Sequence, residues 1–308
     1  MTRPEISHAT SEESSLPCLV CHGTVGASRL PGLLQCRRCG FITTDLTLSH
    51  AELASLYGRD YFEGHIYSSY LGEEVGLRRN FRKRLEDLKR LLPDPARCSL
   101  FEVGCAYGFF LADAQSLFAR VTGMDISEHA IRMAIQRFHL DVRCGDFLQM
   151  PETSRYDVLC LWDTVEHLAR PDLFIQKAAR VLQPNGWLAL TTGDIGSLNA
   201  RLRGAQWRLI HPPYHLHYFS RKTMTALLER CGFEVVQVRY PAVYRSLRMM
   251  LYLGCNLRQE RNARLISLLD RWSFLDREVP FNLFDLMFVV ARKKDGPHLD
   301  SRGHDPVG

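Results

Sequence analysis

A mostly parallel α/β sheet of seven strands with helices on both faces, preceded by a small metal-held module, is the fold class this sequence predicts. Three observations carry it. From Cys98 onward, short apolar strands alternate with helices, the pattern of right-handed βαβ units. The stretch Leu100-Phe-Glu-Val-Gly-Cys-Ala-Tyr-Gly108 reads as a strand-to-helix turn that ends in glycine. Ahead of it, Cys18-Leu-Val-Cys21 and Cys36-Arg-Arg-Cys39 have the spacing of a four-thiolate clasp.

Residues 1–15 are rich in Ser, Glu and Thr, a composition that predicts a disordered tail. The metal-binding module is expected over 16–48. A helical linker or lid follows over 49–97, and in its helix Phe81, Leu85, Leu88 and Leu92 share one face before Pro93 and Pro95. Strands are predicted at 100–103, 121–124, 141–144, 156–162 and 187–191, with helices at 109–118, 128–138 and 173–182 between them. Ser220 is a good N-cap for a further helix, with Phe219 and Met224 placed as a hydrophobic staple, and Cys231-Gly232 ends it. Two last strands are expected at 233–240 and 284–291, separated by a helical insertion over 241–282. The main domain thus spans 98–294, and 295–308 reads as a second disordered tail.

The bulk numbers are those of a soluble globular chain: 308 residues, 46% hydrophobic, 24% charged. A formal charge of +5 gives no strong case for nucleic acid. The polar start of the chain carries no signal-peptide pattern, and no uncharged apolar run approaches membrane-spanning length. A reducing cytoplasm is therefore the expected compartment, where paired cysteines mean metal more often than cystine. Cys98, Cys105, Cys144, Cys160, Cys231 and Cys255 are scattered along apolar stretches and read as small core residues.

Each C-x2-C turn can present two thiolates to one ion, so Cys18, Cys21, Cys36 and Cys39 complete a tetrahedral shell that suits a structural zinc. With all four positions filled by protein, the site has no room for a reacting water. Such a zinc ribbon can grip nucleic acid or protein, or cap a neighbouring domain.

The turn from Glu102 through Gly104 to Gly108 lets backbone approach a ligand closely, and the following helix offers free N–H groups. Asp125 comes at the end of the next strand, about twenty residues on, where a carboxylate meets ribose hydroxyls. Asp146, after the third strand, can reach an adenine amino group, with Phe147 beside the ring. The spacing departs from G-x-G-x-x-G, which counts against a dinucleotide.

Residues 98–292 resemble class I S-adenosylmethionine-dependent methyltransferases, which are Rossmann-like. The matching stretches are Phe101-Glu-Val-Gly-Cys-Ala-Tyr-Gly-Phe-Phe110, Val121-Thr-Gly-Met-Asp125, Gly145-Asp146, Tyr156-Asp-Val-Leu-Cys-Leu-Trp-Asp-Thr-Val-Glu-His167 and Val181-Leu-Gln-Pro-Asn-Gly-Trp187. The resemblance implies that Glu102, Gly104, Cys105, Ala106, Tyr107 and Gly108 wrap the methionine portion of S-adenosylmethionine. It implies Asp125 with its neighbour Ile126 at the ribose, Asp146 and Phe147 at the adenine, and Trp162 and Asp163 on the sulfonium side. Ala106 stands where glycine is frequent, and Gly193-Asp194 replaces a common Pro-Asn.

The cysteine pairs, a Tyr-rich segment (Tyr57, Tyr61, Tyr67, Tyr70) and the Tyr214-His-Leu-His217 element are similar to a bacterial subgroup that includes sugar C-methyltransferases. Those sugar enzymes carry an extra C-terminal domain after the core, for which residues 293–308 offer no match, so sugar C-methylation is not the first expectation. His211-Pro-Pro-Tyr214 follows the fifth strand rather than the fourth, so the adenine N-methyltransferase element it resembles is set aside.

An oxygen or carbon acceptor must lose a proton, which favours a His or Tyr near the methyl. The candidates are His167, Tyr214, His215 and His217, with a purely structural role open for each histidine. The expected substrate is a small or carrier-linked acceptor, methylated on a hydroxyl. C-methylation of a nucleotide-linked deoxysugar, zinc-ribbon binding of RNA for base methylation, and a non-catalytic interaction module stay open. The arginines of the insertion could lie on an anionic membrane surface, although such faces are more often simply solvated.

Overall fold

The computed structural model describes residues 17–46, 48, 52, 55–58, 61–62, 70–254 (side chains to 251) and 271–294. The two predicted tails, Tyr67, Cys255 and the middle of the insertion lie outside the described residues.

Three short strands open the chain: β1 (Val25–Ala27), β2 (Leu33–Cys36) and β3 (Ile42–Thr44). Helix α1 (Glu74–Leu91) buries Phe81, Leu85 and Leu88 of the predicted stripe. Then come β4 (Ser99–Val103), α2 (Phe109–Ala114), β5 (Arg120–Asp125), α3 (Glu128–Phe138), β6 (Asp141–Cys144) and β7 (Tyr156–Trp162). They are followed by α4 (Pro171–Val181), β8 (Leu182–Gly193), α5 (Leu198–Arg203), β9 (His217–Tyr218), α6 (Arg221–Arg230) and β10 (Phe233–Arg239). The chain then forms β11 (Val243–Ser246), α7 (Leu247–Gly254), β12 (Glu278–Phe281) and β13 (Leu286–Lys293).

The main sheet is Rossmann-like, in the order β10-β13-β8-β7-β4-β5-β6. Its members β4 to β8 run parallel, while β13 is antiparallel to both β8 and β10. Crossover helices put apolar clusters on both faces. Phe101, Leu159 and Leu190 belong to one cluster, and Leu100, Val158 and Ala189 to the other. The alternation along each strand is what the buried parallel ladder demands.

Local chemistry explains most element ends. Ser127 caps α3 by accepting from Ala130 N, and Pro171 pre-sets the first turn of α4. Ser220 and Thr223 form a reciprocal capping box on α6, and the stapling pair Phe219 and Met224 is buried. Helix α2 ends at Ala114, short of its predicted end at 118.

Two expectations need correction. The insertion is helical only in part: its described ends pair as β11 with β12. The Asn80 side chain donates to Tyr244 O (3.0 Å) and accepts from Tyr244 N (2.7 Å), while Arg79 covers the Tyr244 ring at 3.8 Å. These contacts with α1 hold the segment extended, and no local pattern encodes them. Cys144 is exposed rather than a core residue, because β6 is the edge strand.

The cysteine module joins the main body through backbone. β1, β2 and β3 form an antiparallel sheet whose fourth strand is β9, in register Ile42↔Tyr218 and Thr43↔His217. Phe41 packs on Phe219 (ring centroids 5.1 Å) and shares a cluster with Leu227 of α6.

Candidate active site

The cavity lies beyond the carboxyl ends of β4, β5, β6 and β7 and has a volume of about 290 Å³. Its floor is the predicted turn. Gly104 adopts φ +74°, and a Cβ there would meet the Thr164 side chain at 2.7 Å, so only glycine fits. Ala106 sits at φ +45°, in the left-handed region that favours glycine. Asp125 ties the turn down: Oδ2 accepts from Ala106 N (2.9 Å) and Oδ1 from Ser127 N (2.8 Å). Burial raises the pKa of its carboxyl, and these N–H donors oppose the shift.

Of the residues the sequence pointed to, Gly104, Ala106, Asp125, Ile126, Asp146, Phe147, Trp162, Asp163 and His167 line the cavity. Glu102, Cys105, Tyr107 and Gly108 stand outside its lining. Tyr107 is buried and stacks on Phe62 at 4.9 Å, with its hydroxyl 3.1 Å from His129 Nε2. Asp146 Oδ1 accepts from Leu148 N at 2.9 Å, which fixes the loop after β6. Phe147 packs between Phe101 and Phe174.

The residues fit S-adenosylmethionine. Besides the glycine cradle and Asp125, the buried Glu102 keeps Oε2 without a hydrogen-bond partner, and burial raises its pKa well above the carboxylate range. Arg84, a buried cation on α1, has an unpartnered Nη1 and places Nη2 3.2 Å from Asp163 Oδ2. Glu102 and Arg84 stand behind the cavity lining, so the fit rests on the glycine cradle and on Asp125, with Arg84 holding the cavity-lining Asp163 from behind. Arg84 was invisible to sequence reasoning except as a polar break in the apolar face of α1.

Aromatic rings form the opposite wall: Tyr57, Tyr61, Phe62, Tyr70 and Phe81 all border the cavity. Tyr214 does not line it but packs against Tyr61, with ring centroids 5.6 Å apart. His167 Nδ1 lies 2.8 Å from the Tyr214 carbonyl and 2.9 Å from Tyr57 Oη. A carbonyl can only accept, so the neutral ring carries its proton on Nδ1 and leaves Nε2 basic. Burial lowers the His167 pKa, against the pull of the Tyr214 carbonyl.

His215 lies next to His167, ring centroids 4.7 Å apart, and its Nδ1 is 2.7 Å from the Leu209 carbonyl. Burial, then the neighbouring His167, drives its pKa down to about 3. Glu166 is buried and its carboxyl is pushed up to about 8, first by burial and then by Asp163. His217 is placed differently, away from the cavity. Its Nε2–H donates to Leu168 O (2.9 Å) and its Nδ1 faces Thr43 Oγ1 (2.9 Å), so both ring nitrogens are engaged.

The four cysteines converge, their sulfur atoms lying within 4.8 Å of one another, with Cys18–Cys39 at 3.6 Å and Cys21–Cys36 at 3.5 Å. A tetrahedron with Zn–S bonds of about 2.3 Å has edges of about 3.8 Å, so the set suits that ion. Matching turns close each knuckle: His22 N donates to Cys18 O and Gly40 N to Cys36 O. Val20 N and Cys39 N donate to the sulfurs of Cys18 and Cys36.

A family model described as a methyltransferase domain matches residues 77–238, more than half of the chain. The chain belongs to this methyltransferase family, and its class is the S-adenosylmethionine-dependent class I. Among its relatives, a ubiquinone biosynthesis O-methyltransferase of Nitrobacter winogradskyi is 29% identical over 129 residues, covering 40% of this chain and 48% of its own. One of the same name from Maricaulis maris is 29% identical over 131 residues, covering 40% and 52%. The chain thus spans about half the length of the curated relatives it matches. Among solved structures, a candidate methyltransferase of Bacillus halodurans superposes with a TM-score of 0.50 at 17% identity, covering 68% of this chain and 98% of its own. The YcgJ protein of Bacillus subtilis also reaches 0.50, at 14% identity, covering 70% and 100%. These two likenesses speak for the fold. Among the described residues, no helix is long and apolar enough to cross a membrane.

Proposed function

We propose that the protein methylates a hydroxyl of a small-molecule acceptor. The carrying observation is the neutral His167 on the cavity wall, its proton held by the Tyr214 carbonyl and its other nitrogen basic. When bound, S-adenosylmethionine supplies an electrophilic methyl on sulfonium sulfur. Asp125 and Ile126 hold the ribose, Asp146 and Phe147 the adenine, and Glu102 with the turn to Gly108 the amino-acid end. The aromatic wall aligns the acceptor, and orientation alone supplies a large part of the acceleration. His167 takes the acceptor's proton as the oxygen attacks. The names of the curated relatives agree with oxygen as the acceptor atom. The four thiolates hold a structural zinc.

A carbon acceptor is the second reading, because Tyr214 of the sugar-enzyme-like element packs on Tyr61 of the cavity wall. Incubation with methyl-labelled S-adenosylmethionine and fractionated metabolites of the source cells separates the two. Label on a phenol or sugar oxygen is expected. Label on a deoxysugar carbon selects the second reading, and label in RNA overturns both.

A further inference from the structure

We propose that Glu166, His167 and His215 together form a divalent-metal site beside the acceptor end of the cavity, distinct from the four-thiolate clasp. Each residue offers one ligand atom, and these atoms lie within 4.8 Å of one another. Glu166 is only 5% exposed, yet its Oε2 has no hydrogen-bond partner. A buried carboxyl oxygen left this way costs free energy unless a ligand satisfies it. Both imidazoles are already arranged as ligands. The carbonyl of Tyr214 holds His167 Nδ1 and that of Leu209 holds His215 Nδ1, so each neutral ring keeps its lone pair on Nε2. Backbone fixes the set further: Leu216 N donates to Glu166 O, and Tyr218 Oη donates to His215 O.

Two imidazoles and one carboxylate suit Zn²⁺ or a neighbouring first-row ion, and three protein ligands leave a position open. His167 borders the cavity, so an acceptor hydroxyl can fill that position. The oxygen then binds the ion, its O–H bond breaks, and the proton leaves to water. In this arrangement the His167 lone pair holds the ion instead of taking the proton itself. That consequence rests on the methyl-transfer reading; the binding site does not.

The test is the metal content of the full chain after equilibration with Zn²⁺ and removal of excess, in wild type, Glu166→Gln and His215→Ala. Binding of S-adenosylhomocysteine, measured by calorimetry, reports that each variant is folded. Wild type is expected to retain one more ion per chain than either variant. With Co²⁺ in place of Zn²⁺, the thiolate charge-transfer bands should be equal in all three proteins. Equal metal content in wild type and in a variant that still binds the cofactor product overturns the site and leaves His167 as a base acting alone. Should Glu166→Gln fail to fold, His215→Ala carries the comparison, since that ring is partly accessible.

Discussion

Asp125 does two things at once. Its oxygens hold the N–H groups of Ala106 and Ser127, and the same carboxylate faces the cavity. Asp125→Ala is therefore expected to remove calorimetrically measurable cofactor binding and to lower stability by about 2 kcal/mol, since charge-assisted bonds to N–H contribute about 1.5–3 kcal/mol. Unchanged affinity would show the ribose to lie elsewhere. His167→Ala should lower methyl transfer about 100-fold or more while leaving cofactor affinity in place, the usual worth of a positioned acid–base group. His217 carries a separate, pH-linked prediction. Its pKa falls from about 6.5 in the unfolded chain to about 4 in the fold, through burial. Between those values the unfolded chain binds the extra proton, so the stability is complete above pH 6.5 and falls as pH drops toward 4. The slope is about 1.4 kcal/mol per pH unit. Urea midpoints at pH 7, 6 and 5 should drop more steeply for wild type than for His217→Asn, and parallel curves would count against it. The sequence pointed to Asp125 as a ribose ligand, but its hold on the turn depends on where Ala106 N lands.

At the scale of elements, β9 is the link between the four-cysteine module and the candidate site. It pairs with β3, Thr43 Oγ1 lies 2.9 Å from His217 Nδ1, and His215 lies two residues before His217. On the proposal that the four thiolates hold zinc, a chelator should loosen β3, release β9 and displace His215, while the turn after β4 stays intact. Methyl transfer is expected to fall about tenfold with cofactor affinity unchanged. Full activity after verified loss of the metal would sever the connection. This pairing was not legible: two residues of strand carry no periodicity, and their partner lies over 170 positions away. The strands of the main sheet were legible because parallel strands buried on both faces read as apolar runs. The insertion's hairpin was not, since Tyr244 is held extended by Asn80 of α1.

For the whole molecule, the decisive feature is that α1 packs on one face of the sheet while the tyrosines before it wall the cavity at the strands' carboxyl ends. Arg84 reaches from α1 to Asp163, and Tyr57 reaches from the aromatic wall to His167. Arg84→Met is expected to weaken cofactor binding about tenfold, which is about 1.4 kcal/mol. Titration calorimetry checks this, and an unchanged Kd would leave Arg84 a purely structural cation. The chain by itself determined the alternation of strands and helices in the main sheet, the glycine turn with its carboxylates, and the convergence of four cysteines. Each of these is written in short-range spacing, where periodicity, φ preference and ligand geometry act within a few residues. Tertiary structure alone decided that Glu166, His167 and His215 meet, that His217 turns away, and that Arg84 reaches Asp163. Those outcomes depend on how separate elements dock, and docking is set by packing across the molecule rather than by any local pattern.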